Sequence, residues 1–261
     1  MAPDTLIWPV MMSRTSLITV LVTLALAAQV RADTVRVAVA SNFGTTLDQL
    51  VTLFEQASSH EVLVSQGSTG KLYAQVVNGA PFDVLLAADR DRPERLERDS
   101  HAIAGTRFTY AIGRLVLWHP TATALPDGAA LLSSDNWSRL AIANPDLAPY
   151  GLAARQALQR LSLWDVVTPK IVMGENIAQA WLFTASGNTD LGMVALAQVK
   201  ARPDSGGATW VVPAAWHDPI EQQAVLLSDS PAARGFLAFM QSGPARTVIA
   251  KAGYDLPTKR D

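Results

Sequence analysis

Four short stretches place hydrogen-bond donors where the chain turns from a strand-like apolar run into a helical one. They are Ala40-Ser41-Asn42, Gln66-Gly67-Ser68-Thr69-Gly70, Asn144-Pro145 followed by Pro149-Tyr150-Gly151, and Gly174-Glu175-Asn176-Ile177. The first turn of a helix carries backbone N–H groups with no partner inside the helix. The aligned peptide dipoles add roughly half a positive charge at that end. Such a turn binds an oxyanion without a cationic side chain. The hydroxyls of Ser41 and Ser68, the amide of Asn42 and the phenol of Tyr150 can supplement these donors. Four such turns facing one cleft would surround a tetrahedral dianion. Each junction alone has a plainer reading: Ser and Asn before a helix are common N-caps, Gly67 and Gly70 serve turn geometry, and Tyr150 packs beside Pro149. The combination carries the ligand reading.

The elements that must position these residues follow from periodicity. Val35, Val37 and Val39 alternate as a strand does, and Leu47, Leu50, Val51 and Phe54 recur on one helix face. Strands are expected at 61–65, 83–87, 114–118, 140–143, 171–173, 191–194 and 225–227, and helices at 71–78, 92–100, 153–161, 177–186, 232–241 and 245–252. Strands alternating with helices imply parallel βαβ units with helices on both sheet faces. Ligands of open α/β sheets gather at the carboxyl ends of the strands, where all four junctions lie. Two such series separate near residue 113. The expected fold is therefore α/β with two lobes, each a mostly parallel sheet flanked by helices, and the ligand in the cleft between them. The first lobe is expected to comprise 33–113 plus 225–261, because the last helices lack a sheet of their own, and the second 114–224. Closure is expected about Ala111–Arg114 and Ala224–Leu227.

Composition narrows the function. Of 261 residues, 49% are hydrophobic and 17% charged, the latter below the ~25% usual in soluble proteins, so a large core is available. A net charge of −2 without a basic block offers no track for nucleic acid. The absence of cysteine excludes disulfides, thiolate metal sites and a lipoprotein anchor. Leu17–Ala28 is an uncharged, mostly apolar run, with Arg14 before it and Val30-Arg31-Ala32 after it. It is shorter than the ~20 residues of a spanning helix. Residues 1–32 read as a signal peptide cut after Ala32, with an N-terminal membrane anchor as the alternative. Translation starts at Met1, Met11 or Met12. A soluble periplasmic monomer is expected.

Catalytic and metal chemistry find little support. His60, His101, His119 and His217 lack metal-ligand spacing. The stretch around Ser68 has Gln66 where a nucleophile elbow needs glycine. Lys71 lacks the full phosphate-loop spacing, and Asp89 is expected to cap the next helix or tie the hinge. No catalytic residue, cation site or cofactor is expected. A binding protein for another small oxyanion, such as sulfate, or for a carboxylate, and an exported serine hydrolase using Ser68, stay as alternatives. A carboxylate reader would place arginine in the cleft, and the nearest, Arg155, lies a turn inside its helix.

Across most of the chain the segments VAVASNF (37–43), GSTGKLYAQVVNGAPFDVLLAAD (67–89), NPDLAPYGLAARQAL (144–158), GENIAQAW (174–181), SGNTDLGMVAL (186–196), PIEQQAVLL (219–227) and SGPARTVIAKAGY (242–254) occur in one order and spacing. This arrangement resembles the periplasmic molybdate-binding proteins of ABC importers. The resemblance implies a type II periplasmic binding protein that closes on molybdate or tungstate and delivers it to a membrane permease. It also implies a ligand set of Ser41, Asn42, Ser68, Tyr150 and the backbone N–H of Ile177, with molybdenum held only as its oxyanion. Some members draw a tyrosine from the strand after the fourth junction, where Ala195 stands here. The PYG motif at 149–151 implies that Tyr150 replaces it.

Overall fold

The computed structural model describes residues 33–258. The expected signal peptide lies outside the described residues. The alternating valines form β1 (Thr34–Ala40), followed by β2 (Glu61–Gly67), β3 (Val84–Leu86), β4 (Phe108–Gly113), β5 (Leu115–His119), β6 (Leu140–Ala143), β7 (Ile171–Gly174), β8 (Leu191–Ala195), β9 (Ala208–Val211) and β10 (Ile220–Leu226). The longer helices are α1 (Gly44–Ala57), α2 (Thr69–Val77), α3 (Asp91–Arg98), α4 (Pro149–Arg160), α5 (Ile177–Ala185), α6 (Pro231–Met240) and α7 (Gly243–Lys251).

The strands build two five-stranded sheets, ordered β2-β1-β3-β10-β4 and β7-β6-β8-β5-β9. In the first, β1 runs parallel to β2 and β3, with Val37 flanked by Val64 and Val84, and β10 is antiparallel to both β3 and β4. In the second, β6 runs parallel to β7 and β8, and β5 is antiparallel to β8 and β9. Each sheet is therefore mostly parallel with one reversed strand, in the same positional order. The expected α/β architecture of two helix-flanked sheets holds.

Burial on both faces explains the near-continuous apolar strands. Val35, Val37 and Val39 pack with Leu47, Leu50 and Phe54 of α1 and with Phe236 and Ile249 of the last two helices. The opposite face of the first sheet buries Leu85 and Val225 against Leu72, Val76 and Leu96. In the second sheet Leu115, Leu117 and Ile142 pack with Leu158 and Ile177, and Trp118 stacks on Trp181 with ring centroids 5.8 Å apart.

The chain leaves the first sheet through Arg114, between β4 and β5, and returns through 212–219. The division expected between 224 and 225 falls inside β10, all of which pairs in the first sheet. The expected strand 225–227 begins five residues earlier because Gln222 and Gln223 are buried yet polar, which broke the apolar pattern. The strands β4 and β9, both at sheet edges, were not expected. Arg114 divides the stretch from Phe108 to His119 between the two sheets, close to the separation expected near residue 113.

Asp190 ties the loop before β6 to the start of β8: its Oδ2 accepts from the N–H groups of Ser138 (2.8 Å) and Arg139 (2.9 Å). Those two bonds, Arg139 first, hold its carboxyl below the usual carboxylate range. The stabilisation is present above the unfolded-state value, about 3.9, and is lost as pH falls through the lower folded value. Asp190→Asn should lower the urea midpoint at pH 7, and the gap to the parent should be smaller at pH 2, because the loss begins as pH falls below about 3.9. An equal gap at both pH values would contradict this origin.

Candidate functional site

All four junctions meet at one small cavity. It is lined by Ser41 and Asn42 after β1, Ser68 and Thr69 after β2, Pro149 and Tyr150 at the start of α4, and Asn176 and Ile177 at the start of α5. Its volume is about 10 Å³, on a scale where one water needs about 10–15 Å³. The space is too small for a sugar or an amino acid. No lining residue carries a charge. The expected residues Ser41, Asn42, Ser68, Tyr150 and Ile177 all line it.

Local capping explains part of this arrangement and leaves the rest over. Ser68 caps α2, its Oγ accepting from Lys71 N at 3.4 Å, so its own proton is free to be donated. Asn176 caps α5 by accepting from the N–H groups of Ala178 (3.0 Å) and Gln179 (3.1 Å). The cap of α1 is Phe43, with no side-chain bond, so capping does not account for Ser41 and Asn42. The backbone N–H groups of Asn42, Ser68, Tyr150 and Ile177 have no acceptor among the described residues. Gly151 permits the close start of α4: a Cβ there would lie 2.2 Å from the carbonyl oxygen of Ala143.

One expectation needs correction. The side-chain amide of Asn42 does not face the cavity as a spare donor. Its Nδ2 donates to Gln222 Oε1 (2.8 Å) and to the Tyr254 hydroxyl (3.2 Å), which uses both of its protons. What Asn42 offers is its backbone N–H. Tyr254 in turn donates to the Asn42 carbonyl (2.8 Å), so the C-terminal segment fixes the first junction.

Three further residues were missed from sequence, all remote in the chain: Tyr110, Gln222 and Tyr254. Tyr110 OH donates to Gln222 Oε1 at 3.1 Å and lies 3.2 Å from the Ala87 carbonyl. Gln222 Nε2 lies 3.4 Å from the Tyr150 hydroxyl. Burial, and then the neighbouring Tyr254 and Tyr110, push the Tyr150 phenol well above its ordinary value. Tyr150 therefore remains a protonated donor.

The rim is bridged between the two halves. Gly70 N–H donates to the Leu147 carbonyl (2.9 Å) and Arg92 to the Asp146 carbonyl (3.0 Å), while Lys71 pairs with Glu175. Arg92 also pairs with Asp89, whose carboxyl is raised by burial against the lowering effect of Arg92. Asp89 Oδ1 accepts from Arg92 N at 3.0 Å, so it satisfies a first-turn N–H of α3 from one residue before the cap position, Arg90. The Lys71 ammonium is engaged with Glu175 and not with Ser68. Among the described residues no cluster of His, Asp and Glu could hold a metal ion, and no helix is long and apolar enough to cross a membrane.

Two α/β sheets with a small, donor-lined cavity between their strand ends define a solute-binding protein. Residues 35–255 match the family model described as bacterial extracellular solute-binding protein, and the chain belongs to that family. It is 44% identical over 235 residues to the molybdate-binding protein ModA of Azotobacter vinelandii, covering 88% of this chain and 93% of that one. It is 39% identical over 232 residues to the ModA of Rhodobacter capsulatus, covering 88% of this chain and 91% of that one. The solved periplasmic molybdate-binding protein of Azotobacter vinelandii superposes with a TM-score of 0.82 at 42% identity, over 86% of this chain and all (100%) of that chain. These relatives are binding proteins, and the chain is not an enzyme.

Gly113, at the end of β4, keeps the Tyr150 hydroxyl in place. A Cβ there would lie 2.2 Å from that oxygen and 3.0 Å from Gln222 Nε2. The ring is fully enclosed and has little room to retreat. Gly113→Ala should cost about 1–3 kcal/mol through overpacking. In a thermal melt this is a loss of several degrees, and an unchanged melting temperature would show that Tyr150 yields freely.

Proposed function

We propose that this protein captures molybdate, or tungstate, in the periplasm and delivers it to the permease of an ABC importer. The observation that carries this reading is the uncharged cavity bordered by uncommitted N–H and O–H donors from four helix starts. The relatives named for molybdate binding supply the ligand's identity. The ligand donors are the backbone N–H groups of Asn42 and Ile177, the hydroxyls of Ser41 and Ser68, and the Tyr150 phenol. Neutral donors suit a tetrahedral dianion that must later be released, because each bond strengthens when water leaves the closed cleft and weakens when it returns. No cofactor takes part, and the chain acts as a monomer, exported by its cleaved N-terminal segment.

Closure of two lobes completes the site. The lobes correspond to the two sheets, the hinge to Arg114 and 212–219, and the latch to the rim contacts of Gly70, Lys71 and Arg92. Selectivity follows from size. Sulfate has the same charge and shape as molybdate but shorter bonds to its central atom, so it leaves fixed donors unpaired at ~1–3 kcal/mol each. Two mismatches give roughly a hundredfold preference. Tungstate is nearly the same size as molybdate and should bind comparably.

Isothermal titration calorimetry tests this reading. Molybdate and tungstate should bind one per chain, with sulfate and phosphate far weaker. Ser68→Ala and Tyr150→Phe should each lower molybdate affinity by about tenfold or more, with a thermal melt confirming that each variant is folded. Absence of heat with any oxyanion, from folded protein, would refute the proposal.

A further inference from the structure

The hydrogen bonds around Asn42 have a direction that can be followed atom by atom. A phenol has one proton, and that of Tyr254 goes to the Asn42 carbonyl oxygen at 2.8 Å. Toward the Asn42 side chain the Tyr254 oxygen can therefore only accept, and Asn42 must present its NH₂ group, at 3.2 Å. The other proton of that group then requires an acceptor in Gln222, which presents Oε1 at 2.8 Å. Tyr110 OH reaches the same oxygen at 3.1 Å. With Oε1 accepting from Asn42, the Gln222 NH₂ group must point the other way, to the Tyr150 oxygen at 3.4 Å. That oxygen accepts, and the Tyr150 proton finds no acceptor among the described residues.

We infer that Gln222 is a positioning residue: it makes Tyr150 a donor toward the cavity and links the first junction of one half to the tyrosine of the other. Gln222 is completely buried on the return strand β10 and lies outside the cavity lining, so it acts through Tyr150 and not on the ligand. With Ser68 Oγ already accepting from Lys71 N, the hydroxyls of Ser68 and Tyr150 and the free backbone N–H groups all face the cavity as donors. This inference rests on the oxyanion reading above.

A double-mutant cycle read by calorimetry with molybdate tests it. Gln222→Glu keeps an acceptor for Asn42 and Tyr110 but replaces the donor facing Tyr150 by a second acceptor, which takes up the tyrosine's proton. The expected loss is about tenfold in the parent background. In the Tyr150→Phe background the same change should cost no more than about threefold. Tyr254→Phe breaks the first link of the relay. It should show a smaller loss that also vanishes with Tyr150→Phe, and it serves if the carboxylate variant does not fold. A merely structural role, or simple charge repulsion, would give losses that multiply in the double variants. Additive free energies, or unchanged affinity in Gln222→Glu, overturn the inference while leaving molybdate binding intact. Absence of molybdate binding by the unaltered protein overturns the oxyanion reading, and this inference with it.

Discussion

Backbone N–H groups must be paired when they leave water, and around one cavity four of them have no acceptor among the described residues. Buried backbone donors in folded proteins almost always find partners, and one left without costs about 1–3 kcal/mol. The N–H groups of Asn42, Ser68, Tyr150 and Ile177 border one small space without a protein acceptor. The rest of the structure brings them together. Parallel strands aim β1, β2, β6 and β7 so that their carboxyl ends face inward, and the helices that follow start there. The two sheets share one positional order, so each contributes the same pair of junctions. An arginine or lysine at the centre would carry the desolvation cost of a buried charge. The cavity has none.

The reversed strand of each sheet has a second use. Because β5 and β10 are the antiparallel members, the chain crosses between sheets at their ends, close to the site. Gln222 and Gly113 sit beside these crossings and touch Tyr150 directly. The rim contacts of Gly70 with Leu147 and of Arg92 with Asp146 close the far side. They involve backbone carbonyls, whose positions do not depend on side-chain rotamers.

The fold was legible where burial is two-sided. Val35-Val37-Val39 and the faces of α1 and α4 gave the right elements, and the four junctions followed from them. The polar inner shell was illegible because its contacts join residues 180 and 212 positions apart, which no local pattern records. Gln222 and Gln223 show the cost most clearly: buried polar residues concealed the first half of β10 and displaced its expected start to residue 225. Asn42 was recognised as part of the site, but its side chain was assigned the wrong direction, since the partners that claim it lie in β10 and after α7. Gly113 gave no signal, because its constraint is the approach of a side chain from α4 in the other half.

The central claim is that uncharged donors at four helix starts hold the oxyanion between the sheets. A crystal structure of the protein grown with molybdate, with the metal located by its anomalous scattering, tests it most directly. The account predicts one strong molybdenum peak enclosed by the first turns of α1, α2, α4 and α5. Its oxygens should lie within hydrogen-bonding distance of Ser68 Oγ, the Tyr150 hydroxyl and the N–H groups of Asn42 and Ile177. A peak held by surface lysines or arginines, with the cavity between the sheets filled only by water, would contradict it.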